Sequence, residues 1–303
     1  MFSVWIKTGG VVLIIVIGYI MKKTGTLPES AAKVLAKVMM KVTLPCVFIC
    51  NLNGLTISGD MTSALLFGFA IEFILVGAAV LLSLRKSADR VYIMQYCMPG
   101  FNISSFAMPV AQIFTSAFAV SSLVMININV ALYFYLVTPV LVQIMARGEK
   151  KIDVKGVAKS FLDNTPAVVS VVMLLLCLLH ISLPEALITA IRPMANANAT
   201  VALLSIGLLF EFPKQLPKSN IIALSARLLL TVIAALLVWH GVIPFGEARD
   251  AMIIAMFAPL PSSAPAMALH FGYKGSEVAF GASATLIVSI ITTSIVCALL
   301  FQM

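Results

Sequence analysis

The sequence predicts an all-α polytopic membrane protein of ten transmembrane helices, arranged as two inverted five-helix repeats with broken helices 4 and 9. Three observations predict it. The 303 residues are 61% hydrophobic and only 11% charged, with a mean hydropathy of +1.08, whereas soluble domains run at about 25% charged. Apolar windows of about 20 residues, the length that crosses a bilayer, recur from end to end. The punctuation of the first half also returns in the second, where "TLPES" at 26–30 comes back as "SLPEA" at 182–186.

The expected spans run as follows. The first, 3–21, is followed rather than preceded by the basic pair Lys22 and Lys23, the wrong order for a cleaved signal peptide. The second, 31–52, opens on Lys33, Lys37 and Lys41, a basic stripe that reads as a solvated or lipid-facing edge, or as a vestibule that gathers anions. The third, 62–84, contains one charge, Glu72. The fourth, 91–114, is interrupted by "PGFNISSFAMP". The fifth, 117–146, is the longest and reads as tilted or as beginning outside the hydrocarbon. Residues 1–146 form the first repeat and the polar stretch Arg147 to Ser160 a cytoplasmic linker. Residues 161–303 form the second repeat, with spans at 162–180, 186–210, 219–240, 249–271 and 276–301. Connections are short and carry turn residues, as in "TGTLPE" and "EFPKQLPK".

Charge in the loops sets the orientation. Loops after odd-numbered spans hold Lys22, Lys23, Arg85, Lys86, Arg90, Arg147, Lys150, Lys151, Lys155, Lys159, Lys214, Lys218 and Lys274, whereas loops after even-numbered spans offer little beyond Arg249. Positive charge marks the cytoplasmic side, so the expected placement is multi-pass in the cell (inner) membrane, with both termini periplasmic. The net charge of +8 is scattered between apolar segments and faces anionic lipid, not nucleic acid.

Chemistry-bearing motifs are scarce. Cys46, Cys50, Cys97, Cys177 and Cys297 lie in apolar runs and read as small hydrophobes. His180, His240 and His270 have no ligand spacing, so no metal and no cofactor is expected. HExxH, GxGD, GxSxG and the Walker A motif are all absent, which argues against an enzyme and against direct drive by ATP.

The repeat is what gives the breaks meaning. At an offset of 156, "TLPCVFICNL" (43–52) lies over "ATVALLSIGL" (199–208). Near 160, "PGFNISS" (99–105) lies over "PLPSSAP" (259–265). Five spans per unit invert the second unit, an architecture of secondary transporters whose broken helices meet at a midplane substrate site. Non-helical backbone survives at that depth only when buried in protein or lining a watery cavity. The expected breaks involve Pro99, Gly100 and Pro109 in span 4, and Pro259, Pro261 and Pro265 in span 9. Ser104 and Ser105, and Ser262 and Ser263, are expected to cap the second half-helices, whose N-termini favour an anionic group. Asn102, inside a break, is the preferred ligand contact. Asn127, Asn129, Asn196 and Asn198 read as interhelical hydrogen-bonding groups.

Two charges lie at depth. Glu72 costs several kcal/mol in lipid, about 2.5–3.5 for Asp on translocon scales, so it is expected to face the interior. There it exchanges a proton or holds a cation during transport, or partners a polar group. Arg227 sits near the repeat-equivalent position, where it pairs with Glu72, attracts an anion, or snorkels toward Lys218.

On "TLPCVFICNL", "ANATVALLSIGL" and the two proline-broken helices, the whole chain resembles the auxin efflux carrier family in its short prokaryotic form. The resemblance implies a fold related to sodium–proton antiporters and bile-acid symporters. Spans 1, 2, 6 and 7 would form a scaffold, spans 3–5 and 8–10 a transport domain in which the broken helices 4 and 9 cross, and the scaffold would join two copies as a homodimer. It also implies small organic anions as substrates: auxin in plants, dicarboxylates such as malate and malonate in bacteria. The chain departs from relatives in "SSFAMP", where they are often Gly-rich, and in the three prolines of the ninth span. The expected function is therefore alternating-access transport of a small organic anion of the mono- or dicarboxylate class, with H+ or Na+ as coupling ion. A sodium-coupled symporter of a larger, bile-acid-like anion and a transport-dead membrane sensor are the alternatives.

Overall fold

The computed structural model describes residues 2–148, 151–210, 217–242, 246–273 and 276–302, and among them every regular element is helical. Lys150, Lys214 and Lys274, three of the loop cations, and residues 211–216 of the "EFPKQLPK" loop lie outside the described residues. The first half comprises α1 (Phe2–Lys23), α2 (Ser30–Leu52), α3 (Gly59–Ser83), α4 (Ala88–Cys97), α5 (Ile103–Phe114) and α6 (Ala117–Met145). After α7 (Val154–Leu162) come α8 (Thr165–Leu178), α9 (Glu185–Leu209), α10 (Lys218–Trp239), α11 (Arg249–Met256), α12 (Ala264–His270) and α13 (Ser276–Gln302). Side-chain oxygens cap several starts: Ser58 for α3, Ser87 for α4, Ser116 for α6, Asp153 for α7 and Asn164 for α8 each accept a backbone N–H three residues on.

The protein is all-helical and membrane-embedded: α2, α3, α6, α10 and α13 are each long and apolar enough to cross a bilayer. The other expected spans are built differently. Those at 91–114 and 249–271 are each two short helices around a gap. The span at 186–210 is one 25-residue helix, α9, made more polar by Arg192, Asn196 and Asn198. The span at 162–180 starts later, at Thr165, and α8 meets α7 at 77°. The expected linker thus contains a helix of its own, started by Asp153.

Three π-turns share one cause. Met39–Thr43, Ile103–Ala107 and Tyr133–Val137 each end two residues before a proline, respectively Pro45, Pro109 and Pro139. Proline lacks an N–H and its ring collides with the carbonyl four residues back. Widening the turn moves that carbonyl aside. The N–H groups of Leu44, Met108 and Thr138 accordingly reach back five residues, to Met39, Ile103 and Tyr133. Pro109 therefore sits inside the continuous helix α5 rather than in a break, and Pro265 falls in the first turn of α12, where no donor is needed. Both correct the expectation that they interrupt their helices.

The helices pack in two groups. In one, α9 lies against α1 and α2, and α2 against α8. Gly18 and Gly207 let α1 and α9 touch backbone to backbone, since a Cβ on Gly207 would collide with the Ile15 carbonyl. Polar bonds join the same set: Thr43 Oγ1 donates to Asn198 Oδ1 (2.9 Å), Asn53 exchanges two bonds with Leu183, and the Cys177 thiol donates to the Leu52 carbonyl. In the other group, α3 lies on α6 and α4, α10 on α4 and α11, and α13 on α12. There Asn129 Nδ2 donates to the Leu65 carbonyl at 2.7 Å, Asn220 Nδ2 to that of Glu277, and the Tyr92 hydroxyl to that of Phe271. Few bonds join the groups among the described residues: Ser121 Oγ donates to the Asn51 carbonyl (2.9 Å), and the Tyr135 hydroxyl of α6 pairs with the Asn164 side chain at the start of α8.

Candidate functional site

The two gaps meet. Residues 98–102 leave α4 without helical structure, residues 257–263 do the same after α11, and Asn102 N–H donates to the Pro259 carbonyl across the crossing at 2.8 Å. Backbone away from water needs a partner for each polar group, and the sequence meets that demand in two ways. Pro99, Pro259 and Pro261 carry no N–H at all. Several of the other groups are met by side chains from neighbouring helices. Glu72, fully buried on α3, accepts the Gly100 N–H at 2.9 and 3.2 Å. Arg227, 4% exposed on α10, donates from Nη1 to the carbonyls of Met98 (2.5 Å) and Gly100 (2.7 Å) and from Nη2 to that of Ala258 (3.2 Å). Its guanidinium also lies 4.5 Å from the centre of the Phe101 ring. Thr285 Oγ1 accepts the Leu260 N–H at 3.2 Å.

The electrostatic sense of this clamp follows from the helix ends. Met98 and Ala258 lie just past the C-termini of α4 and α11, where unpaired carbonyls carry partial negative charge. A buried guanidinium, with five donors, neutralises both ends at once. Arg227 therefore points inward to the crossing and does not snorkel toward Lys218. Glu72 and Arg227 act on one residue, Gly100, the first at its N–H and the second at its carbonyl. Gly100 has φ of +82°, and a Cβ there would press on Pro261 and Phe134, so glycine is required twice over.

Beside the crossing lies a cavity of about 240 Å³. It gathers Asn102, Ser104, Ser105, Ser262 and Ser263, five of the residues expected to bind substrate, together with Asn127, Tyr135, Asn164 and Lys33. A second cavity of about 300 Å³ shares Asn102, Leu209 and Ser262 with the first and continues along α13 past Ala279 and Ser283. Arg227, expected with these residues, lines neither; it borders a separate space of about 210 Å³ between α10, α11 and α13.

The serines do not cap as expected. The side chain of Asn102 is the cap of α5, its Oδ1 accepting the Ser105 N–H at 3.2 Å. Ser104 Oγ instead donates to Asn127 Oδ1 at 2.6 Å. Ser263 holds the N-cap position of α12, yet its hydroxyl pairs with the Tyr135 hydroxyl at 2.8 Å, and Ser262 is exposed to the cavity. The longer amide of Asn102 reaches the N–H groups that a serine in the following turn faces away from.

Four cavity residues were not anticipated as ligand contacts. Lys33, from the basic stripe, supplies the cation, while Lys41 of the same stripe donates to the Asp163 carbonyl and to Thr165 Oγ1 (2.9 and 2.6 Å). Tyr135 lies in the π-turn before Pro139, and a proline late in a long span was its readable signal. Asn127 shows the expected interhelical bond but also borders the cavity. Asn164 comes from the turn between α7 and α8. No protein-family model matches the chain, and no curated protein matches it.

Proposed function

We propose that this chain is a secondary active transporter that carries a small organic anion by alternating access. The observation that supports the reading best is the cavity at the crossing. It offers hydroxyls from both interrupted segments, the amides of Asn102, Asn127 and Asn164, one cation in Lys33, and no acidic side chain among its described lining residues. Such a lining suits a carboxylate, with a charge-assisted bond at Lys33 and neutral donors around it. Its volume of about 240 Å³ falls below the roughly 300–1,000 Å³ of pockets for drug-sized ligands, which favours a small acid over a bile-acid-like one.

The wider reading, as in the family the sequence resembles, is a ten-span chain of two inverted halves with both termini outside. It draws support from the order of elements. Each half runs through three helices, a gapped pair and a final long helix, with Pro28 and Pro184 at corresponding helix starts. On this orientation both cavities open toward the cytoplasm, on the side of Lys33 and Asn164. Across the crossing, Val11, Ile15, Phe106, Val110 and Cys297 close around a space of only about 10 Å³. That asymmetry supports reading the chain as an inward-facing carrier.

Sodium coupling at the crossing is disfavoured by Arg227. Carbonyl oxygens are ligands for hard cations, and those of Met98, Gly100 and Ala258 are already held by a fixed guanidinium. Glu72 remains the group through which proton or ion coupling would act.

The test is a thermal-shift screen of the purified protein against mono- and dicarboxylates, with and without sodium, at two pH values. A ligand present at about 100 times its Kd stabilises by roughly 2.7 kcal/mol. The expected result is a raised melting temperature with a small carboxylate, unchanged by sodium and roughly halved in Lys33→Gln at the same ligand concentration. Failure of every carboxylate to stabilise the protein would sink the proposal.

A further inference from the structure

The linker helix α7 takes no part in the cavity, and its surface has a pattern of its own. It leaves α8 at 77°, so where α8 crosses the bilayer, α7 lies close to the plane of the headgroups. Val157 is buried against the protein, and α7 packs on the turn Tyr133–Val137. The rest of its apolar face is left outside: Val154 is 67% and Leu162 66% exposed, with Ala158 exposed between them. At 100° per residue, Val154, Ala158 and Leu162 form one strip. Lys155 and Lys159, both exposed, form the strip next to it, and Lys151 precedes them.

From this juxtaposition we propose that α7 is an in-plane anchor whose occupant is an anionic phospholipid leaflet. The apolar strip enters the acyl boundary, and the lysines meet phosphate headgroups. The two requirements of an interfacial helix, an apolar strip and a flanking cationic one, are both present. Charge complementarity selects the lipid. Among the described residues the nearby acidic ones are Asp153, whose carboxylate is occupied with the Gly156 N–H (2.9 Å), and Asp163 at the far end; Glu149 of the sequence lies outside the described residues. Each lysine near an anionic surface contributes about 1 kcal/mol, roughly fivefold in occupancy. The proposal rests on the membrane placement of α8 but not on the cargo.

The test is hydrogen exchange of the full chain in nanodiscs of phosphatidylcholine alone and of phosphatidylcholine mixed with phosphatidylglycerol. Amides of residues 151–164 are expected to exchange several-fold more slowly in the mixture. The difference should vanish in Lys155→Gln/Lys159→Gln, persist in Lys155→Arg/Lys159→Arg, and shrink in high salt. Equal exchange in both lipids, as a protein partner or second copy would produce, overturns the proposal, as does a difference that survives the glutamine pair. Because carboxylate binding is not the readout, a failed transport reading leaves this result interpretable.

Discussion

Replacing Arg227 by methionine tests the clamp at the crossing. The substitution keeps the length and apolar body of the side chain and removes every donor. The carbonyls of Met98, Gly100 and Ala258 then lose a partner, at about 1–3 kcal/mol for a buried group left unsatisfied. Glu72 loses the favourable field of the guanidinium that shares Gly100 with it, and removing one member of such a buried charged set costs up to about 3–5 kcal/mol. The neighbouring space of about 210 Å³ gives water a route to part of the vacated site, so the losses do not add in full. We expect about 3–5 kcal/mol, or roughly 6–10 °C at about 2 °C per kcal/mol for a chain of this size. Cys46, Cys97, Cys177 and Cys297 are buried, so a thiol-reactive fluorogenic dye reports unfolding directly. The decisive sign is in the double variant. Glu72→Gln still accepts the Gly100 N–H, so on its own it destabilises by removing the counter-charge of Arg227. On the Arg227→Met background it should instead stabilise. A methionine variant that melts within about 1 °C of the parent, or additive effects of the two substitutions, would refute the reasoning.

Other outcomes follow from the same geometry. Gly100→Ala should lower stability by about 1–3 kcal/mol, because φ of +82° is disfavoured for a residue with a Cβ and Pro261 crowds the site; melting with the same dye checks it. Lys33→Gln should weaken carboxylate binding about tenfold and flatten its salt dependence without changing the melting point of the unliganded protein, as measured by ligand-induced shifts. Glu72→Gln should abolish the pH or ion dependence of transport in reconstituted vesicles; an unaltered dependence at normal expression removes Glu72 from coupling. Gly207→Leu should prevent α1 and α9 from packing and abolish the folded monodisperse protein on size exclusion, since the Ile15 carbonyl occupies the space.

The positions of the two gaps were legible because proline and glycine state their backbone demands in their covalent structure. Pro99, Pro259 and Pro261 lack donors, and Gly100 admits a positive φ, so "PGFN" and "PLPS" announced them. Pro109 and Pro265 misled because a proline also fits where a π-turn precedes it or where a helix begins, and the choice depends on neighbours rather than on the residue. The constant interval between each π-turn and its proline is a local signal that a reading by composition passes over. Arg227 was ambiguous for a different reason. Its partners are backbone carbonyls, which every residue possesses, brought from 129, 127 and 31 positions away by folding. Nothing in a sequence marks which carbonyl will be left bare. Lys33 belonged to a stripe of three equal lysines, and packing alone assigned one to the cavity and another to the Asp163–Thr165 turn. The helix α7 was hidden in a segment read as polar, although Val154, Val157, Ala158, Phe161 and Leu162 hold helical spacing there.

The border between the two packing groups has a mechanical meaning. Greasy side chains facing one another have no preferred register of donors and acceptors, so a shift of one group along the other exchanges each contact for a similar one. Had the seam been stitched with amides and hydroxyls, every ångström of travel would have broken bonds where no water waits to replace them. Among the described residues the named stitches are Ser121–Asn51, near the ends of their segments, and Tyr135–Asn164, beside the turn into α8. The molecule is lubricated in the middle and fastened at the rim.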